Sequence, residues 1–129
     1  MESGDISSAA TSLQNLAVFY TRAQAYGKAA SYAEQYLQLL RNQHADPERI
    51  AAFLEQTALI YSSGRRWQKA FARIDSAAGL YSSSGNRQGL AGALLRKGRI
   101  ALEAGRQREA LAVLDSSLTL LSPTEENMF

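Results

Sequence analysis

The sequence contains no cysteine in its 129 residues. That excludes disulfides, thiolate metal sites and cysteine nucleophiles, and it fits a cytoplasmic protein. It has two prolines, so little interrupts helix formation. Its one histidine, His44, lies in the stretch NQHADPE. A metal site needs several converging nitrogen, oxygen or sulfur ligands, so His44 reads as a solvated linker residue. The opening MESGDISSAA has neither the basic nor the apolar segment of a signal peptide. No apolar run approaches the ~20 residues of a membrane span. Catalytic signatures are missing too. There is no G-x-S-x-G nucleophile elbow and no G-x-x-x-x-G-K-[ST] phosphate loop, and Glu125-Glu126 sits in a polar stretch without a scaffold. The expectation is a protein that is not an enzyme, with no cofactor, no metal and no membrane span.

What is present suits helices. Hydrophobic residues make up 46% of the chain, enough for a core in a single domain of this length. β-branched residues are scarce, and no stretch alternates apolar with polar over a strand's length. Net charge is +2, but it is unevenly spread: residues 61–110 carry ten Lys/Arg against Asp75, Glu103 and Glu109. Within the helical stretch LRKGRIALEAGRQREAL stand Gly98 and Gly105. An interior glycine costs about 1 kcal/mol relative to alanine, so each needs a reason.

The reason is a repeat. Three segments align on Ala29, Ala70 and Ala110, which are 41 and 40 residues apart. A small residue opens each unit (Ala17, Ala58, Gly98). Three positions later come Tyr20, Tyr61 and Ala101, and then a turn at Gln24-Ala25, Gly64-Arg65 and Ala104-Gly105. Tyr26, Trp67 and Gln107 follow the turns, and Ala33, Ile74 and Leu114 lie four residues beyond the anchor alanines. Spacings of i, i+3, i+4 and i+7 broken by one turn describe a helix hairpin. Gly98 then permits close helix approach, and Gly105 closes a helix in the left-handed conformation.

These columns resemble the tetratricopeptide repeat: small residue, tyrosine, turn glycine, aromatic, alanine, large apolar residue. The period of about 40 exceeds the usual 34 or so and is similar to that of kinesin light chain and Pins-type adaptors. Gln24 and Arg65 stand where that family favours a turn glycine, and Gln107 where it favours an aromatic. The resemblance implies an all-α right-handed superhelix of three hairpins in one domain, with repeats near 8–43, 47–83 and 87–121 and a polar tail at 122–129. Six helices are expected near 8–24, 26–43, 47–63, 66–83, 87–104 and 106–121. Asp46-Pro47 is a helix start, Ser84-Gly85-Asn86 a break and Ser122-Pro123 a helix end.

In such arrays the first helix of each hairpin lines a concave groove. Projection from the small-residue column gives Thr11, Gln14, Asn15, Val18 and Arg22, then Ala52, Glu55, Gln56, Leu59 and Ser63. In the third unit it gives Gly92, Leu95, Arg96, Arg99 and Glu103. The resemblance implies a non-catalytic scaffold that captures a partner peptide or helix there, with Asn15, Arg22, Gln56, Leu59, Arg96 and Arg99 as contacts. Arg96 and Arg99 lie one turn apart and could grip a carboxylate with their forked donors, which suggests an acidic partner; alternatively Glu103, four residues after Arg99, satisfies them internally. Family members that clamp an acidic chaperone tail carry lysine and asparagine where this chain has Gln14, Val18, Gln56 and Gly92, and only Arg96 conforms. Nucleic acid is disfavoured, because Trp67 is the one aromatic near the basic turns and its column assigns it to packing. Two other readings stay open. One is assembly through the last helix, where Leu111, Leu114, Leu118 and Leu121 form an apolar stripe suited to self-association. The other is a regulatory fragment of a larger signalling protein.

Overall fold

The computed structural model describes residues 3–121. It is all-α, with six helices and no strand among those residues: α1 (Ser3–Arg22), α2 (Tyr26–Asn42), α3 (Pro47–Ser63), α4 (Trp67–Ser83), α5 (Arg87–Glu103) and α6 (Gln107–Leu121). α1 begins five residues earlier than the apolar periodicity indicates. Its first turns are polar, but Asp5 complements the helix dipole there, and Ala9 and Ala10 extend the helix at little cost. The expected polar tail and the Ser122-Pro123 helix end lie outside the described residues.

The five connections are built alike. In each, one residue takes a positive φ: Gln24 (60°), His44 (53°), Arg65 (61°), Gly85 (72°) and Gly105 (80°). Paired backbone bonds close each helix end. The Gln24 N–H donates to Thr21 O and the Ala25 N–H to Tyr20 O, at 3.0 and 2.8 Å. The same two bonds recur at Arg65 and Arg66, and at Gly105 and Arg106. This is the Schellman closure, which satisfies carbonyls left open at the end of a helix. Gln24 and Arg65 therefore adopt the glycine conformation without being glycine. Asp46 caps α3 by accepting from the Glu48 N–H, and Asn86, read only as part of a break, caps α5 by accepting from the Gly89 N–H at 2.8 Å.

Neighbouring helices in sequence pack on one another along the array, and α3 also touches α5. The anchor alanines Ala29, Ala70 and Ala110 are fully buried. So is the small-residue column of Ala17, Ala58 and Gly98. A Cβ built on Gly98 would stand 2.7 Å from both Cγ and Cδ2 of Leu114, so this glycine makes room for a leucine of the partner helix. Leu37, Leu40, Leu54, Ile74 and Ile100 fill the spaces that the alanines leave. Trp67 is half-buried against this core, as its column indicates.

Candidate functional site: the cleft between the first and second hairpins

Nine of the fifteen projected groove residues line one or the other of two hollows. The first is a cavity of about 330 Å³ between α1 and α3, lined by Gln14, Ala17, Val18, Thr21, Arg22, Phe53, Gln56, Leu59, Ile60 and Ser63. Arg22, Gln56 and Leu59 are brought together along this cavity. Asn15 is exposed on α1 and is not among the lining residues. Ala17, Thr21, Phe53 and Ile60 were not projected. They lie just inside the helix face that the small-residue column defines, and only the separation of α1 from α3 brings them into view.

The second hollow, of about 460 Å³, is lined by Leu95, Arg96, Arg99, Leu102 and Leu114. Of the two readings of Arg96 and Arg99 left open by the sequence, the structure shows internal pairing, with Arg96 held by Glu55 and Arg99 by Glu103. Arg96 donates from Nη1 to Glu55 Oε1 at 3.2 Å, and Arg99 Nε stands 3.5 Å from Glu103 Oε1. Both guanidiniums already have carboxylate partners. Glu55, projected as a groove residue, is instead buried, and its other oxygen accepts from the Tyr81 hydroxyl at 2.9 Å. Burying a carboxylate is costly unless it is paired and hydrogen-bonded, and Tyr81 and Arg96 do both. Leu114 is likewise moved out of the expected terminal stripe, since it is half-buried over Gly98. Leu111, Leu118 and Leu121 are exposed as the sequence indicates.

A second cluster repeats the Glu55 arrangement one helix earlier. Glu34 on α2 accepts from the Tyr61 hydroxyl on α3 and from Arg73 Nε on α4, both at 2.7 Å. In each cluster a glutamate, a tyrosine and an arginine from three successive helices join at the carboxylate. Burial is the main force that pushes the Tyr61 and Tyr81 hydroxyls up to about 12, with the carboxylate bond and its charge adding to it. Arg66, Lys69 and Arg73 also lie 5.6 to 5.9 Å from the Tyr61 ring centre, and Arg106 lies over Phe71. Much of the basic charge near the hairpin turns therefore rests on aromatic faces. Contrary to the expectation from the sequence, Trp67 is not the one aromatic there: Tyr61 and Phe71 lie beside this charge.

The repeat explains why the first cleft is open. α3 and α5 are tied by Glu55 to Arg96 and by Ser62 to Glu103, the latter at 3.0 Å. Shifted back one repeat, these pairs become Gln14 with Gln56 and Thr21 with Ser63. All four residues line the cavity, and neither pair is joined by a hydrogen bond. The Thr21 hydroxyl turns inward to Ala17 O instead. Where α3 and α5 are cross-linked, α1 and α3 leave an apolar cleft rimmed by uncharged polar groups and Arg22. Arg22 has no carboxylate partner among the described residues.

No group of histidine, cysteine or acidic residues able to hold a metal occurs among the described residues, and no helix there is long and apolar enough to cross a membrane.

Six helices in a repeating arrangement define an all-α, helical-repeat-like fold. A solved structure is similar: the crystal structure of BtubC (BKLC) from P. vanneervenii superposes with a TM-score of 0.73 at 19% identity. The match covers 87% of this chain but 46% of that one, so the chain spans about half the length of the structure it resembles. At that identity the likeness concerns the fold. No family model matches the sequence, and no curated protein matches it as a relative.

Proposed function

We propose that the chain is a non-catalytic interaction scaffold of tetratricopeptide-like hairpins, which binds a partner peptide or helix in the cleft between α1 and α3. The observation that carries this reading is the wall chemistry of the cavity. Val18, Phe53, Leu59 and Ile60 supply apolar surface, while Gln14, Gln56 and Ser63 present polar groups at the edge. Such a concave, largely apolar pocket with a few polar groups is the usual form of a binding site. Its volume suits one or two anchoring side chains, with the glutamines placed to hydrogen-bond a backbone. The acidic preference attaches here to Arg22 rather than to Arg96 and Arg99, because Arg22 is a cation at this cleft with no acidic partner among the described residues. The partner segment is accordingly one with an apolar anchor next to a carboxylate.

The test is selection from a random peptide library against the wild-type chain, repeated with Gln56→Trp and Arg22→Ala. Both substituted residues are exposed, so both variants are expected to keep wild-type circular dichroism. An apolar-acidic consensus whose binding falls with Gln56→Trp, and whose acidic preference disappears with Arg22→Ala, is expected. Peptides bound equally by all three proteins would overturn the assignment to this cleft.

A further inference from the structure

The repeat columns can be followed to the first and last described helices, where positions that are buried elsewhere are exposed among the described residues. Ala30, Phe71 and Leu111 share a column, as do Leu40, Tyr81 and Leu121. The members on α2 and α4 are buried, because α3 packs on α2 and α5 on α4. Tyr81 lies directly against Gly89 of α5, and the Arg106 guanidinium stands 4.6 Å from the Phe71 ring centre. The members on α6, Leu111 and Leu121, are 64% and 58% exposed.

The opposite end shows the converse. Phe19, Ile60 and Ile100 share a column. Ile60 lines the cleft facing α1, and Ile100 is buried, while Phe19 is 62% exposed. Below Phe19 on the same side of α1 lie Ser12 and Ser8, which share columns with Phe53 and Ala93 and with Arg49 and Gly89. Residues spaced by four and by eleven fall on one face of a helix. This face of α1 therefore corresponds to the faces with which α3 and α5 cover the helix before them.

Charge gives an independent indication. Glu34, Asp75 and Asp115 form one acidic column. Glu34 is held by the Tyr61 hydroxyl of the next helix, and Asp75 by Lys97 Nζ of the next helix at 2.8 Å. Asp115 has no ion pair among the described residues. The column mate of Tyr61 on α1 is Tyr20. Its hydroxyl makes no hydrogen bond among the described residues, although its ring stacks on Tyr32 at 5.7 Å.

We infer that α6 receives α1 of a second copy of this chain, so that copies stack head to tail. The contact would repeat the α2–α3 and α4–α5 packings. Leu111 and Leu121 meet the Ser8, Ser12 and Phe19 face, the small Ser8 faces Leu121 as Gly89 faces Tyr81, and the Tyr20 hydroxyl reaches Asp115 as Tyr61 reaches Glu34. The interface is heterologous, and such an interface gives open stacks or rings rather than a closed two-fold dimer.

Sedimentation velocity over a concentration series tests this with the wild type, Phe19→Glu and Leu111→Glu, each checked for helicity by circular dichroism. Both substituted side chains are exposed, so folding is expected to survive. The wild type is expected to form species larger than a dimer as concentration rises, and each variant alone to stay monomeric, because an unpaired carboxylate is driven into an apolar contact. An equimolar mixture of the two variants is expected to give dimers and nothing larger, since one good head and one good tail remain. A wild type that stays monomeric at every concentration would overturn the inference. So would Phe19→Glu associating as the wild type does, which would mean that α6 pairs with itself or with another surface.

Discussion

The Tyr81 hydroxyl on α4 donates to Glu55 Oε2 on α3 at 2.9 Å. This bond fixes the carboxylate that also takes Arg96 from α5, so one buried side chain ties three successive helices. Tyr81→Phe keeps the ring and removes one bond to a charged acceptor. Chemical denaturation is expected to show a loss of about 2 kcal/mol. Arg99→Ala removes only an exposed pair with Glu103, and its effect is expected to stay below about 0.5 kcal/mol. Equal losses for the two variants would count against the buried link.

The same contacts set an alkaline limit. Tyr61 and Tyr81 are raised from the ordinary 10.0 to about 12. A group whose pKa is raised on folding contributes fully below its unfolded value, and that contribution is lost as pH rises through the folded value. Stability is therefore expected to decline between pH 10 and 12 on account of these two residues. Ultraviolet difference titration should show two tyrosines ionising late, and Tyr61→Phe combined with Tyr81→Phe should remove that late step.

Gln24 and Arg65 hold the positive φ of their turns without the freedom of glycine. A side chain in the left-handed conformation costs roughly 1–2 kcal/mol. Part of the gain from relieving that strain is offset by the greater entropy of an unfolded glycine. Arg65→Gly is expected to stabilise the chain by about 0.5–1 kcal/mol and to raise its melting temperature. A lower melting temperature would mean that the Arg65 side chain contributes something the backbone geometry does not show.

Helical glycines should divide by their surroundings. Gly27 on α2 has nothing within 4 Å of an added Cβ, so Gly27→Ala should stabilise by up to about 1 kcal/mol. Gly98→Leu must displace Leu114 and is expected to destabilise by ~3 kcal/mol through overpacking. An unchanged melting temperature for Gly98→Leu would remove its packing role.

Reversing the charge of Arg96 is expected to damage the α3–α5 contact rather than to probe a ligand. In the folded chain Arg96→Glu would set a second carboxylate against buried Glu55. Partner loss in that variant would report damage to the α3–α5 link as readily as loss of a ligand. Arg22→Ala at the first cleft avoids this confusion.

The sequence by itself determined the helices, their hairpin pairing and the roles of Ala17, Ala58, Gly98 and Gly105, because these follow from local periodicity, residue size and turn chemistry. Like positions of the repeat carry the small residues Ala17, Ala58 and Gly98 at the helix contacts. The repeat also placed Arg22, Gln56 and Leu59 on one side of the chain. Helix packing, which the sequence pattern does not show, buries Glu55 with Tyr81 and Arg96. That outcome depends on distances between side chains 26 and 41 residues apart. A carboxylate's position in a helical column does not reveal whether a cation from a later helix reaches it. The open cleft has the same origin: Gln14 and Thr21 look unremarkable in the sequence, and the cavity beside them is open because they do not make the links that Glu55 and Ser62 make one repeat later.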